Sequence, residues 1–137
     1  MTANTPYKIL VVDDEKVIRN FLARFLGTMS LEVKTAEDGL AAIEAVKKEV
    51  FDVVFIDVRM PGMSGLEAFA QMKRLCPSIV CVFMTGYAMK EVLPDAIKPA
   101  HTFCVEKPFE SLNHLREMVN KSLEEAKLCK SEKQEST

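Results

Sequence analysis

Five times along the chain a strand-sized apolar run is followed by a helix-sized amphipathic segment, and few architectures accept that rhythm. The runs are Ile9–Val12, Glu32–Ala36, Val53–Ile56, Ile79–Met84 and Thr102–Val105. The first, third and fourth are nearly continuous in Val, Ile, Leu and Phe, as strands are when both faces of a parallel sheet are covered. The second is short and more polar, which places it at an edge. Strands alternating with helices over short connections predict an α/β fold, a doubly wound five-stranded parallel sheet flanked by five helices.

The helical segments carry their own punctuation. Val17, Ile18, Phe21, Leu22, Phe25 and Leu26 recur at helical spacing, with Gly27 as the stop. Leu40, Ile43 and Val46 form a second stripe behind Asp38 as N-cap. Leu66, Phe69, Met72 and Leu75 form a third, with Ser64 as cap and Pro77 beyond the end. A fourth helix is expected between Ala88 and Lys98, begun or kinked at Pro94, which cannot donate to the helical ladder. Leu112, Leu115, Val119 and Leu123 mark the fifth, starting near Glu110 or Ser111. Its leucine stripe reads as core, with a face shared between two protomers, a homodimer, as the alternative.

Length and charge narrow the classes. The 137 residues make one domain, expected over residues 7–128, and the polar stretch 129–137 is expected to be disordered. Eighteen basic against 20 acidic side chains, a net charge of −2, argue against broad, sequence-blind DNA binding, which needs a basic face. No apolar stretch approaches bilayer length, and MTANTPYK lacks a signal-peptide core, so a cytoplasmic protein is expected. Cys76, Cys81, Cys104 and Cys129 form no CxxC pair and stand at no zinc spacing with His101 or His114. Free thiols are the simpler reading.

The acids are where chemistry enters. Asp13 and Asp14 directly follow KILVV, and Asp57 directly follows VVFI. In a parallel α/β sheet, ligands bind beyond the carboxyl ends of the strands. If the first and third strands are neighbours, three carboxylates converge there. Such a cluster repels itself unless a cation neutralises it, and a few oxygen ligands on an open edge suit Mg²⁺. Capping of the first helix by Asp13 or Asp14 is expected as well, yet capping alone leaves Asp57 unexplained. Thr85 and Lys107 end the last two strands, and a hydroxyl and an ammonium beside an acid–metal cluster would suit a phosphoryl group. Asp57, already ionised, is then a carboxylate nucleophile able to form an acyl phosphate.

VVDDE, FIDVRMPGMSG, MTGY and EKPF stand in this order, and together they resemble the receiver domain of bacterial two-component response regulators. The likeness covers about residues 7 to 128. It implies a flavodoxin-like sheet in the order 2-1-3-4-5. Asp57 would be the phosphoacceptor, with Mg²⁺ held by Asp13, Asp14, Asp57 and the backbone carbonyl of Arg59. Thr85 and Lys107 would bind phosphoryl oxygens. It further implies a donor phosphohistidine on a sensor histidine kinase or phosphotransfer protein, a Lys107–Pro108 bond that is commonly cis, and an output face on the fourth helix, fifth strand and fifth helix. That face would serve a downstream protein or an output domain. The role it implies is that of a phosphorelay signalling module, and no enzyme is expected.

Departures fall on the output side. Cys104 stands where the family usually has an aromatic switch residue, Phe103 lies one residue earlier, and Pro99-Ala100-His101 replaces an Ala-Gly turn. Altered coupling and neutral drift both fit. Arg59 and Tyr87 flank the site, either shaping water access or simply solvated. Two other classes compete. A phosphohydrolase would need a second acid just after Asp57, where Val58 and Arg59 stand. A phosphate-free scaffold usually lacks at least one of the five site residues.

Overall fold

Every expected apolar run becomes a strand of a single parallel sheet. The structure, a computed structural model, describes residues 6–86, 102–109 and 111–135. Its elements are β1 (Lys8–Val12), α1 (Lys16–Gly27), β2 (Glu32–Ala36), α2 (Gly39–Lys48), β3 (Val53–Asp57), α3 (Gly65–Leu75), β4 (Val80–Thr85), β5 (Thr102–Glu106) and α4 (Leu112–Glu135). The strand order is β2-β1-β3-β4-β5, all pairs parallel. β2, with Glu32, Lys34 and Thr35 exposed, takes the polar edge.

Alternation along the strands divides the core into two layers. Leu10, Val12, Val54, Ile56, Cys81 and Phe83 face α2 and α3, where Ala42, Ile43, Phe69 and Met72 close over them. Ile9, Val11, Val53, Phe55, Val82 and Met84 face α1 and α4, meeting Leu22, Leu26, Leu115 and Val119. Both layers are fully buried in β1, β3 and β4, so these three strands have no solvent side. Phe69 meets Phe83 edge-on, with ring centroids 5.7 Å apart at 87°.

Caps match their sequence signals. The Asp38 side chain accepts from the Ala41 N–H. Ser64 and Glu67 form a reciprocal capping box at α3. The first helix differs: its N-cap is Glu15, without a side-chain cap bond, so neither Asp13 nor Asp14 caps it. Leu40 and Leu75, expected on buried stripes, are exposed at helix ends.

Four helices lie among the described residues. The helix expected between Ala88 and Lys98 falls outside them, and α4 is the one expected as the fifth. Its Leu115 and Val119 are buried in the core, while Leu112, the first residue of the expected stripe, is exposed. α4 continues to Glu135, where a disordered tail from residue 129 was expected. Residues 129–135 are Cys-Lys-Ser-Glu-Lys-Gln-Glu, and Lys, Glu and Gln are good helix formers despite their polarity.

Candidate phosphoryl-transfer site

Because β1 and β3 are neighbours with Val12 opposite Ile56, the residues that end them share one rim of the sheet. Asp13 follows β1 and Asp57 ends β3. One carboxylate oxygen from each of Asp13, Asp14 and Asp57 can be chosen so that all lie within 4.8 Å of one another. Asp13 and Asp57 are buried; Asp14 is exposed.

Each buried acid is anchored by backbone. The Asp13 Oδ1 accepts from the Glu15 N–H at 2.9 Å, and its carbonyl accepts from the Arg19 guanidinium at 2.8 Å. The Asp13 N–H donates to the Ala36 carbonyl at 3.2 Å, tying the acid to the end of β2. Asp57 Oδ1 accepts from the Arg59 N–H at 3.2 Å. Val58 N–H donates to Met84 O, and Gly65 N–H to Val58 O, which folds the loop back on the end of β3. At Gly65 a Cβ would lie 2.2 Å from the Asp57 carbonyl oxygen, so no side chain fits there. In the sequence Gly65 stands only as the last residue of FIDVRMPGMSG. The available signal was a glycine at the first position of a helix, where propensity opposes it.

Lys107 joins the two acids. Its Nζ donates to Asp13 Oδ2 at 2.9 Å and Asp57 Oδ2 at 3.1 Å, and lies 3.4 Å from Glu15 Oε1. The Lys107 N–H donates to the Thr85 carbonyl at 2.7 Å, fixing the lysine to the end of β4. The Lys107–Pro108 bond is cis. Thr85 is buried and stands one residue beyond Met84, the register partner of Asp57. Its hydroxyl lies 3.9 Å from the Cys104 thiol. Cys104 packs with the α2–α3 layer and Phe103 with the opposite one, as strand alternation required. Arg59 contributes its backbone here while its side chain is exposed. Tyr87 falls outside the described residues.

Electrostatics favour a further cation. Burial pushes the Asp57 carboxyl above its ordinary pKa, against the pull of Lys107 and with help from Asp13. For Lys107, burial opposes charge, but hydrogen bonds and attraction from Asp13 and Asp57 outweigh it and raise the pKa. One ammonium thus serves several carboxylates. The all-oxygen donor set, crowded and short of positive charge, fits a hard divalent ion such as Mg²⁺.

A buried strand-end carboxylate beside a second acid and a lysine makes an acidic rim site, and the comparisons say which family carries it. The model of the response regulator receiver domain matches residues 9–120, and the chain belongs to that family. It is 31% identical over 113 residues to the response regulator receiver protein CpdR of Brucella abortus, covering 82% of this chain and 91% of CpdR. It is 32% identical over 116 residues to sporulation initiation phosphotransferase F of Bacillus subtilis, covering 85% of this chain and 93% of that protein. Against the sensor histidine kinase RcsC of Salmonella typhimurium it is 33% identical over 106 residues, 77% of this chain but 11% of RcsC. A solved structure titled adenylate cyclase from Rhodopirellula baltica superposes with a TM-score of 0.86 at 28% identity, covering 95% of this chain and 96% of that one. A response regulator receiver domain protein from Clostridium thermocellum gives 0.80 at 27% identity, covering 89% and 98%.

The chain is therefore a receiver domain of the two-component phosphorelay family. The expectation that it is not an enzyme is corrected by that membership, because receiver domains themselves carry out phosphoryl transfer. Receiver domains bind Mg²⁺ at an acidic pocket and interact with histidine kinases or phosphotransfer proteins. Among the described residues no helix is long and apolar enough to cross a membrane.

Two outcomes follow from this geometry. Gly65→Ala pushes against backbone and should cost about 1–3 kcal/mol in urea unfolding, as overpacking does. An unchanged midpoint would refute the close approach. In metal-free buffer, Asp57 has a folded pKa above its unfolded one. Its contribution is complete below the unfolded pKa and is lost as pH rises through the folded value. Wild type should thus lose stability relative to Asp57→Asn between acid and neutral pH; a pH-independent difference would contradict it.

Proposed function

We propose that Asp57 is the phosphoacceptor and that Asp13, Asp14, Asp57 and the backbone carbonyl of Arg59 would hold Mg²⁺. The observation that carries this reading is Lys107 Nζ bonded to both Asp13 and Asp57 across the rim. The donor is a phosphohistidine on a sensor histidine kinase or phosphotransfer protein, met in the cytoplasm. An Asp57 carboxylate oxygen attacks phosphorus, the phosphorus–nitrogen bond breaks, and the leaving imidazole takes a proton from solvent. Lys107 offsets charge on the transferring group, and the Thr85 hydroxyl donates one hydrogen bond to it. When bound, Mg²⁺ supplies charge neutralisation and alignment of phosphate oxygens.

Output runs through Thr85. Its hydroxyl neighbours Cys104, so a change at the phosphoryl site reaches β5 through a small thiol and not an aromatic ring. That coupling serves a downstream protein or an output domain.

Acetyl phosphate with Mg²⁺, read by intact mass, tests the assignment. Wild type should gain one phosphoryl group, Asp57→Asn none, and Lys107→Ala should react roughly 10²-fold more slowly, as when one charge-stabilising donor is removed. Turnover of phosphoesters without an adduct would support a phosphohydrolase, and no adduct at all a scaffold. Cys104→Phe should alter phosphorylation-dependent NMR shifts in β5 and α4; unchanged shifts would discard the coupling through Cys104.

A further inference from the structure

A lysine ammonium has three N–H donors, and those of Lys107 face three carboxylates. Two of these, Asp13 and Asp57, are buried and belong to the site already described. The third is Glu15, whose Oε1 lies 3.4 Å away and whose side chain is 62% exposed. Glu15 is the N-cap residue of α1, yet its side chain makes no cap bond. It reaches instead across 92 residues of sequence to a lysine at the end of β5.

We propose that Glu15 is a positioning residue for Lys107. It holds the third ammonium proton in the resting domain and releases it to an incoming phosphoryl oxygen. This rests on Asp57 as phosphoacceptor. Among the three contacts, the Glu15 pair is the longest and the wettest. Exposed ion pairs are weak, and water resolvates a freed surface carboxylate. Release of Asp13 or Asp57 would instead strand a buried charge. Glu15 is therefore the partner that exchanges, and until it does, its charge opposes an anionic donor.

Acetyl phosphate makes the step explicit. An Asp57 oxygen–phosphorus bond forms, the phosphorus–oxygen bond to the acetyl group breaks, and acetate leaves with the electron pair. No proton is required. Glu15→Gln removes the competing charge and leaves only a weaker, neutral acceptor, so the half-saturating acetyl phosphate concentration should fall roughly two- to fivefold, the range an exposed pair commands. The maximal rate should change less. Glu15→Asp keeps the charge but is one methylene shorter, which draws the carboxylate off Lys107, so it should shift in the same direction.

A second readout avoids turnover. In metal-free, phosphate-free protein the Lys107 Nζ NMR resonance should move in both Glu15 variants and stay fixed in Glu44→Gln, an exposed glutamate paired with Lys47. Phosphorylation of wild type with Glu15→Gln unchanged in donor dependence overturns this proposal alone. Glu15→Asp matching wild type while Glu15→Gln differs also overturns it, because the effect is then one of field and not of contact. A wild type that takes no phosphate removes the parent reading and this one with it.

Discussion

The site depends on one ammonium, that of Lys107, held between Asp13 and Asp57 from two neighbouring strands. Two buried carboxylates at one rim would repel each other across low-dielectric protein. Lys107 makes their approach tolerable, and the direction of its pKa shows that attraction wins over burial. The balance is incomplete. Asp57 remains pushed toward protonation by burial, and the cluster keeps a use for another cation.

The scaffold converts sequence distance into this contact. Lys107 lies 94 residues from Asp13 and 50 from Asp57, and only the order β2-β1-β3-β4-β5 brings the three strand ends together. Backbone bonds then set the positions: Lys107 N–H to Thr85 O, Val58 N–H to Met84 O, and Asp13 N–H to Ala36 O. Gly65 lets α3 begin directly against the Asp57 carbonyl. Relatives use the same module at different scales, near-complete in CpdR and a small part of RcsC.

Much of this was legible from residues because local pattern and global position agree. The nearly continuous apolar runs of β1, β3 and β4 read as strands without a solvent face, and an acid ending such a strand must lie at the rim. Asp38 and Ser64 announce their helices by capping chemistry. What escaped depends on geometry that patterns do not encode. Asp13 spends its side chain on the Glu15 N–H and on Lys107, not on a cap, and that choice is made by a lysine far along the chain. Glu15, at the N-cap of α1, reaches the same distant lysine. Polarity after residue 129 suggested disorder, but helix propensity of Lys, Glu and Gln carries α4 onward. The domain's part in phosphoryl transfer emerged from family membership and not from any single residue.

Mg²⁺ titration into isotopically labelled wild type, followed residue by residue by amide NMR, tests the convergence most directly. The account predicts shift changes concentrated at Asp13 to Glu15, Asp57 to Arg59 and Lys107, and their loss in Asp13→Asn. Saturable changes centred elsewhere, or none at these three strand ends, would contradict it.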